Sequence, residues 1–206
     1  MAGFVVVYSD DRELDTQLIN VQRSKQLRSG QLKLLKTGSG KVPAATVLAG
    51  YLSSSLRSGS RTQPPQVISV GLAQTSEWTF VGLTVEPFYA LDRDMTPAEL
   101  KARGLEPQPV VKLAGLPPSG IASGDNMELT SAETMQLRER DIHLMDVDSH
   151  AIGWVSIRCL AGRTRSVRFV THEVGTAPKS WEKTYAQACK ELTASVLQLT
   201  AEGAEA

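Results

Sequence analysis

AIGWVSIRCL (residues 151–160), then Ala161-Gly162-Arg163-Thr164, then SVRFVT (166–171) is the stretch on which the fold turns. Both runs are short, apolar and rich in β-branched residues. A Gly-containing connection separates them, so together they read as a β-hairpin. A hairpin pairs its strands antiparallel. The runs VISVGL (67–72) and WTFVGLTV (78–85), parted by Gln74-Thr75-Ser76, add strands of the same kind.

Helical periodicity lies on either side of this β-rich middle. After the buried run Phe4-Val5-Val6-Val7-Tyr8, Asp10 and Glu13 have the spacing of a capping box, and Leu14, Leu18 and Val21 follow at helical intervals. A helix is expected over 11–27. Residues 31–37 read ambiguously as a strand, and Gly38-Ser39-Gly40 as a turn. Pro43 suits the first turn of a second helix, whose apolar face is Ala44, Val47, Leu48, Tyr51, Leu52 and Leu56. Thr96-Pro97-Ala98-Glu99 and Thr130 with Glu133 mark two further helix starts. At the end, Trp181, Tyr185, Ala188, Leu192, Val196 and Leu199 share one face of a long helix.

The resulting expectation is an α+β fold: a mainly antiparallel sheet, N-terminal helices, and a long C-terminal amphipathic helix packed on the sheet. One domain is expected over 1–206, with an N-terminal helical subregion at 1–62 and a frayed tail at 201–206. The composition agrees with a real core: 41% of the 206 residues are hydrophobic, although only 5% are aromatic.

The opening apolar run is too short for a signal-peptide core, and no run is long enough to span a bilayer. A cytoplasmic or virion-internal location is expected, not a secreted one. Cys159 and Cys189 show neither metal nor redox spacing and read as small buried apolar residues.

No catalytic motif is complete. Thr37-Gly38-Ser39-Gly40-Lys41 approaches a phosphate loop, but Leu35 stands where its first glycine belongs and Val42 where its Ser or Thr belongs. No Gly-x-Ser-x-Gly elbow occurs. Asp146, Asp148 and His150 would share one face of an extended chain, a set able to hold a divalent cation and activate water. His143 is near them in sequence. His172 and Glu173 join them only if the hairpin brings them close.

Charge is the more informative pattern. The net charge is zero, yet no acidic residue lies between Asp15 and Glu77, a stretch that holds Arg23, Lys25, Arg28, Lys33, Lys36, Lys41, Arg57 and Arg61. A second acid-free stretch, 149–172, holds Arg158, Arg163, Arg165 and Arg168. Residues 77–148 compensate with thirteen acidic residues against six basic ones. Such segregation either neutralises itself within the fold or makes a field for phosphates.

The leading expectation is therefore a non-enzymatic structural or assembly protein of the viral coat, nucleocapsid or matrix kind. It would self-associate and contact nucleic acid or an anionic membrane surface through Arg158, Arg163, Arg165 and Arg168, then Arg23, Lys25 and Arg28. No cofactor is expected. Trp181, Tyr185, Leu192 and Val196 are the interface candidates, docking first within the fold and then between subunits. One alternative is a metal-dependent phosphoester hydrolase built on Asp146, Asp148 and His150. Another is a small adaptor or regulatory domain that binds a protein partner.

Overall fold

The computed structural model describes residues 3–57, 64–94, 110–115, 119–159 and 163–202. The helix expected after Thr96 falls outside them.

β1 (Phe4–Tyr8) is buried along its whole length. A strand with no polar face needs cover on both sides, which is the condition of a strand inside a parallel sheet. Its side chains alternate accordingly. Phe4, Val6 and Tyr8 join the C-terminal helix in one core cluster. Val5 and Val7 join Ala44, Leu48 and Leu52 in another. Helices thus lie on both faces of the sheet.

The remaining elements follow from that centre. α1 (Thr16–Gln22), α2 (Ser24–Arg28) and β2 (Leu32–Lys36) lead back beside β1. α3 (Lys41–Arg57) covers one face and β3 (Gln66–Thr75) returns parallel to β1. A short 3₁₀ turn (Trp78–Phe80) leads to β4 (Thr84–Val85), β5 (Tyr89–Asp92), β6 (Val111–Lys112) and β7 (Gly120–Ser123). α4 (Ser131–Arg138) begins with the capping box formed by Thr130 and Glu133. It precedes β8 (Ile142–Asp146), α5 (Ser149–Arg158), β9 (Thr164–Glu173) and α6 (Trp181–Glu202).

The sheet runs β2-β1-β3-β8-β7-β5-β6, with β9 beside β3 and β4 beside β9. β1/β2, β1/β3, β3/β9, β5/β7 and β7/β8 are parallel; β3/β8, β4/β9 and β5/β6 are antiparallel. A mixed, mostly parallel sheet replaces the expected antiparallel one.

The correction centres on the supposed hairpin. Residues 149–158 form α5, and only the second run is a strand. A short apolar run does not declare its period, and here Ile152, Val155 and Cys159 meet the α3 side of the core at helical intervals. Gly153 lies against Val111, which a Cβ there would approach to 2.5 Å. β9 then runs parallel to β3 along nearly its full length.

Two smaller differences have local causes. The expected helix over 11–27 is divided into α1 and α2, and Asp15, not Asp10, caps α1 by accepting from the Leu18 amide. The expected strand at 78–85 is mostly turn, with Trp78 exposed. The C-terminal helix is as expected: Ala188, Leu192 and Val196 are fully buried against the sheet. No helix among the described residues is long and apolar enough to cross a membrane.

Replacing Leu192, which is 0% exposed, with Ala should lower stability by about 2–5 kcal/mol. Val21→Ala, at a side chain 76% exposed, should change it by less than about 0.5 kcal/mol. Urea denaturation of the two variants checks the difference.

Candidate active site

Sheet direction reverses between β3 and β8, where Gln74 pairs with Met145 in antiparallel register. The chain leaves β1, β3, β8 and β9 near this point, and such reversals open a crevice at strand ends. A cavity of about 480 Å³ lies there. Ser9 and Glu13 reach it from the end of β1, Gly71 and Gln74 from β3, Asp146 and Asp148 from the end of β8.

Its floor is a buried charge network. Arg168, on β9, is 0% exposed. Its Nε donates to Asp146 Oδ2 at 2.7 Å, and its Nη2 donates to Asp148 Oδ1 at 2.6 Å and to Ser69 Oγ at 2.8 Å. Asp146 is saturated: Ser123 Oγ donates to Oδ1 at 2.6 Å, and Ser149 Oγ donates to Oδ2 at 2.5 Å. With the Arg168 Nε already counted, the Ser149 amide adds a fourth donor at 3.1 Å. That bond caps α5 with Asp146, because Asp148, the residue at the N-cap position, turns its carboxyl to Arg168 instead.

Glu13 is the third carboxyl, 4% exposed. Its Oε2 accepts from the Ser9 amide at 2.9 Å and the Asp10 amide at 3.1 Å, and Ser9 Oγ donates to Oε1 at 2.9 Å. β3 passes between Glu13 and Arg168 at Gly71, where a Cβ would lie 3.5 Å from Glu13 Oε1 and 3.6 Å from Arg168 Nη1. A larger side chain there would press on both groups.

Burial penalises a lone charge, and one guanidinium faces three carboxyls. Burial pushes Asp148 up to about 7; Arg168 opposes the rise, while Asp146 and Glu13 add to it. Burial likewise raises Glu13, against the pull of the Ser9 and Asp10 amides.

The walls are less charged. Leu72, Met127, Trp181 and Tyr185 supply apolar surface. Thr171 and His172 supply polar groups, and burial lowers the His172 pKa. At the rim, Asp10 grips Arg12 with bonds of 2.8 Å to Nε and Nη2, and that hydrogen bonding holds Asp10 at about 2. The Arg12 guanidinium lies 4.1 Å from the Tyr185 ring centre.

The residues singled out from sequence are thus redistributed. Asp146, Asp148 and Arg168, read separately as metal ligands and a phosphate contact, meet one another. Among the described residues no group of three or more His, Cys, Asp or Glu side chains is placed to hold a metal ion. His150 is buried on α5, its amide donating to Ser123 Oγ at 2.9 Å. Arg165 pairs with Glu86 at 3.5 Å, and Arg158 lies 5.7 Å from the Trp154 ring centre. Arg163, Lys25 and Arg28 are exposed. Arg23 donates to the Leu197 carbonyl at 2.5 Å, tying α1 to α6. Of the interface candidates, Leu192 and Val196 are core, whereas Trp181 and Tyr185 line the cavity. Lys41, in the near-miss phosphate loop, is bound to Asp92 and Asp94.

Spacing from Asp10 marks Glu13 as a helix cap. Its position just beyond the end of a buried strand was the signal that could have placed it at a ligand site.

No protein-family model matches the sequence, and no curated protein matches it. Solved structures do resemble the fold. The 5′-methylthioadenosine/S-adenosylhomocysteine nucleosidase of Campylobacter jejuni superposes with TM-score 0.69 at 12% identity, covering 96% of this chain and 98% of that one. A futalosine hydrolase mutant of Helicobacter pylori gives 0.71 at 10% identity, covering 98% and 100%. The Colwellia psychrerythraea 5′-methylthioadenosine/S-adenosylhomocysteine nucleosidase, solved in complex with adenine, gives 0.67 at 15% identity, covering 97% and 95%. These likenesses establish the fold. They overturn the viral coat, nucleocapsid or matrix reading, since the fold is one seen in nucleosidases and a futalosine hydrolase, and they leave the virion-internal location without support. Nucleic-acid contact by the hairpin arginines loses its basis too, since there is no hairpin and Arg168 is interior.

Proposed function

We propose that the protein is a hydrolase of the N-glycosidic bond of a nucleoside. The observation that carries this reading is the pair of buried carboxyls, Glu13 and Asp148, both with raised proton affinity, on the floor of a cavity of about 480 Å³. Cavities of roughly 300–1,000 Å³ suit ligands of this size. The structural likeness to nucleosidases and a futalosine hydrolase supports the same choice of ligand.

Cleavage breaks the bond between the sugar C1′ and the base nitrogen, and the electron pair leaves with the base. Water adds its oxygen to C1′ and gives up a proton; the base takes one. The sugar passes through a state with cationic character, which a nearby carboxylate stabilises. Asp146 has no free acceptor to offer, because Ser123, Ser149 and Arg168 occupy it. Its role is to orient Arg168. Asp148 keeps one oxygen beyond its bond to Arg168 and stands at the cavity floor. It is assigned the sugar, as hydrogen-bond partner and counter-charge. Glu13, fixed by the Ser9 and Asp10 amides, is assigned the water. A base poised near the working pH is the efficient one, and burial moves Glu13 in that direction.

Release of base from 5′-methylthioadenosine, S-adenosylhomocysteine or futalosine, followed by chromatography, tests the reading. Glu13→Gln should lower kcat by about 100-fold or more while the fold persists. Absence of base release from all three nucleosides by the wild-type protein removes the reading.

The Asp148 proton has a separate signature in stability. Its folded pKa of about 7 exceeds an unfolded value of roughly 3.9. Between about pH 4 and 7 the native state therefore binds more protons than the unfolded chain, so stability falls as pH rises through that window. Asp148→Asn cannot titrate and should lack this part of the decline. Urea midpoints at pH 5 and pH 7 for both proteins decide it. Arg168→Met, which strands the carboxyls, should cost about 3–5 kcal/mol at pH 7.

A further inference from the structure

The pairing of β9 with β3 slips by one residue at the cavity. Val170 lies opposite Ala73 and His172 opposite Gln74, so Thr171 has no partner in the ladder. Bulges of this kind re-aim side chains at functional sites. Both Thr171 and His172 line the cavity.

The Thr171 hydroxyl has one proton to give. Its Oγ1 lies 3.1 Å from the Ala73 carbonyl oxygen, a group that can only accept. The same Oγ1 lies 2.6 Å from His172 Nδ1. With its proton directed to Ala73, the hydroxyl oxygen can only accept from the ring, so Nδ1 carries the hydrogen. A neutral imidazole with hydrogen on Nδ1 has its lone pair on Nε2. Burial favours the neutral ring, and Trp181 stands edge-on to it at 5.5 Å and 80°.

We propose that Thr171 fixes His172 as the Nδ1–H tautomer, and that His172 thereby determines specificity by offering Nε2 as a hydrogen-bond acceptor to the ligand. The ligand class is then a heterocycle that presents an N–H at this wall; a carbonyl or bare ring nitrogen there would meet a second lone pair. The proposal rests on the nucleoside reading of the cavity for its ligand, but its tautomer half stands on the chain alone. Thr171 is a positioning residue acting through His172.

The test uses ¹⁵N-imidazole-labelled protein at pH 7, with the His172 signals assigned by their loss in His172→Gln. The wild-type spectrum should show a protonated Nδ1 and an unprotonated Nε2. Thr171→Ser should preserve that pattern and Thr171→Val should abolish it. Adenine binding, followed by calorimetry, should weaken about 10-fold in Thr171→Val, the loss expected for one hydrogen bond, and recover in Thr171→Ser. His172→Gln, whose side-chain carbonyl can accept, should bind adenine better than His172→Phe. A wild-type ring protonated on Nε2 overturns the proposal, and so does equal adenine affinity across the Thr171 variants. If adenine does not bind the wild-type protein at all, the ligand half of this proposal falls, while base release still decides the nucleoside reading and the spectrum still decides the tautomer.

Discussion

The guanidinium of Arg168 is the interaction around which the rest is arranged. A fully buried cation is tolerated only where anions and acceptors surround it. Asp146, Asp148 and Ser69 provide them from β8, the start of α5 and β3. β3 and the consecutive β8 and α5 are therefore held to β9 by one side chain. One cation does not balance three carboxyls, so the surplus negative charge must be met by protons. The raised proton affinity of Glu13 and Asp148 is a direct result of how the core is neutralised.

The reversal at β3 gives this network somewhere to act. β3 and β8 run in opposite directions and overlap only near their C-terminal ends, at Gln74–Thr75 and Leu144–Met145, so the two ends converge. The antiparallel pairing of Gln74 with Met145 brings Asp146 to the same edge as Glu13 and His172. The slip in register at Ala73 then leaves Thr171 outside the ladder, which is how two adjacent residues of β9 both come to serve the cavity wall.

What the sequence made legible was local. The buried strand at 4–8, the helix starting near Pro43, the capping box at Thr130 and the C-terminal stripe all follow from spacing over a few residues. The parallel pairing of β9 with β3 joins positions about a hundred residues apart, and no local pattern records it. AIGWVSI satisfies strand and helix rules alike, and only the core it meets decides between them. The site shows the same division. Asp146, Asp148 and Arg168 each stood out as unusual, but their meaning came from meeting one another. Glu13 was masked by a true local feature, since its carboxylate does accept from the Asp10 amide as a capping residue would. The uneven charge was real as well, yet much of it cancels in space: Lys41 with Asp92 and Asp94, Arg165 with Glu86, Arg168 with Asp146 and Asp148.

The C-terminal helix divides its labour along its length. Its later turns, through Leu192 and Val196, are locked into the core, whereas its opening turns present Trp181 and Tyr185 to the cavity. Pocket shape can thus be retuned by exchanging side chains at the mouth end without touching the packing that keeps the sheet folded. The same continuity runs in the other direction. A ligand that clasps Trp181 and Tyr185 also fastens the chain's closing segment to its first strand, so occupancy of the pocket and retention of that segment report on each other.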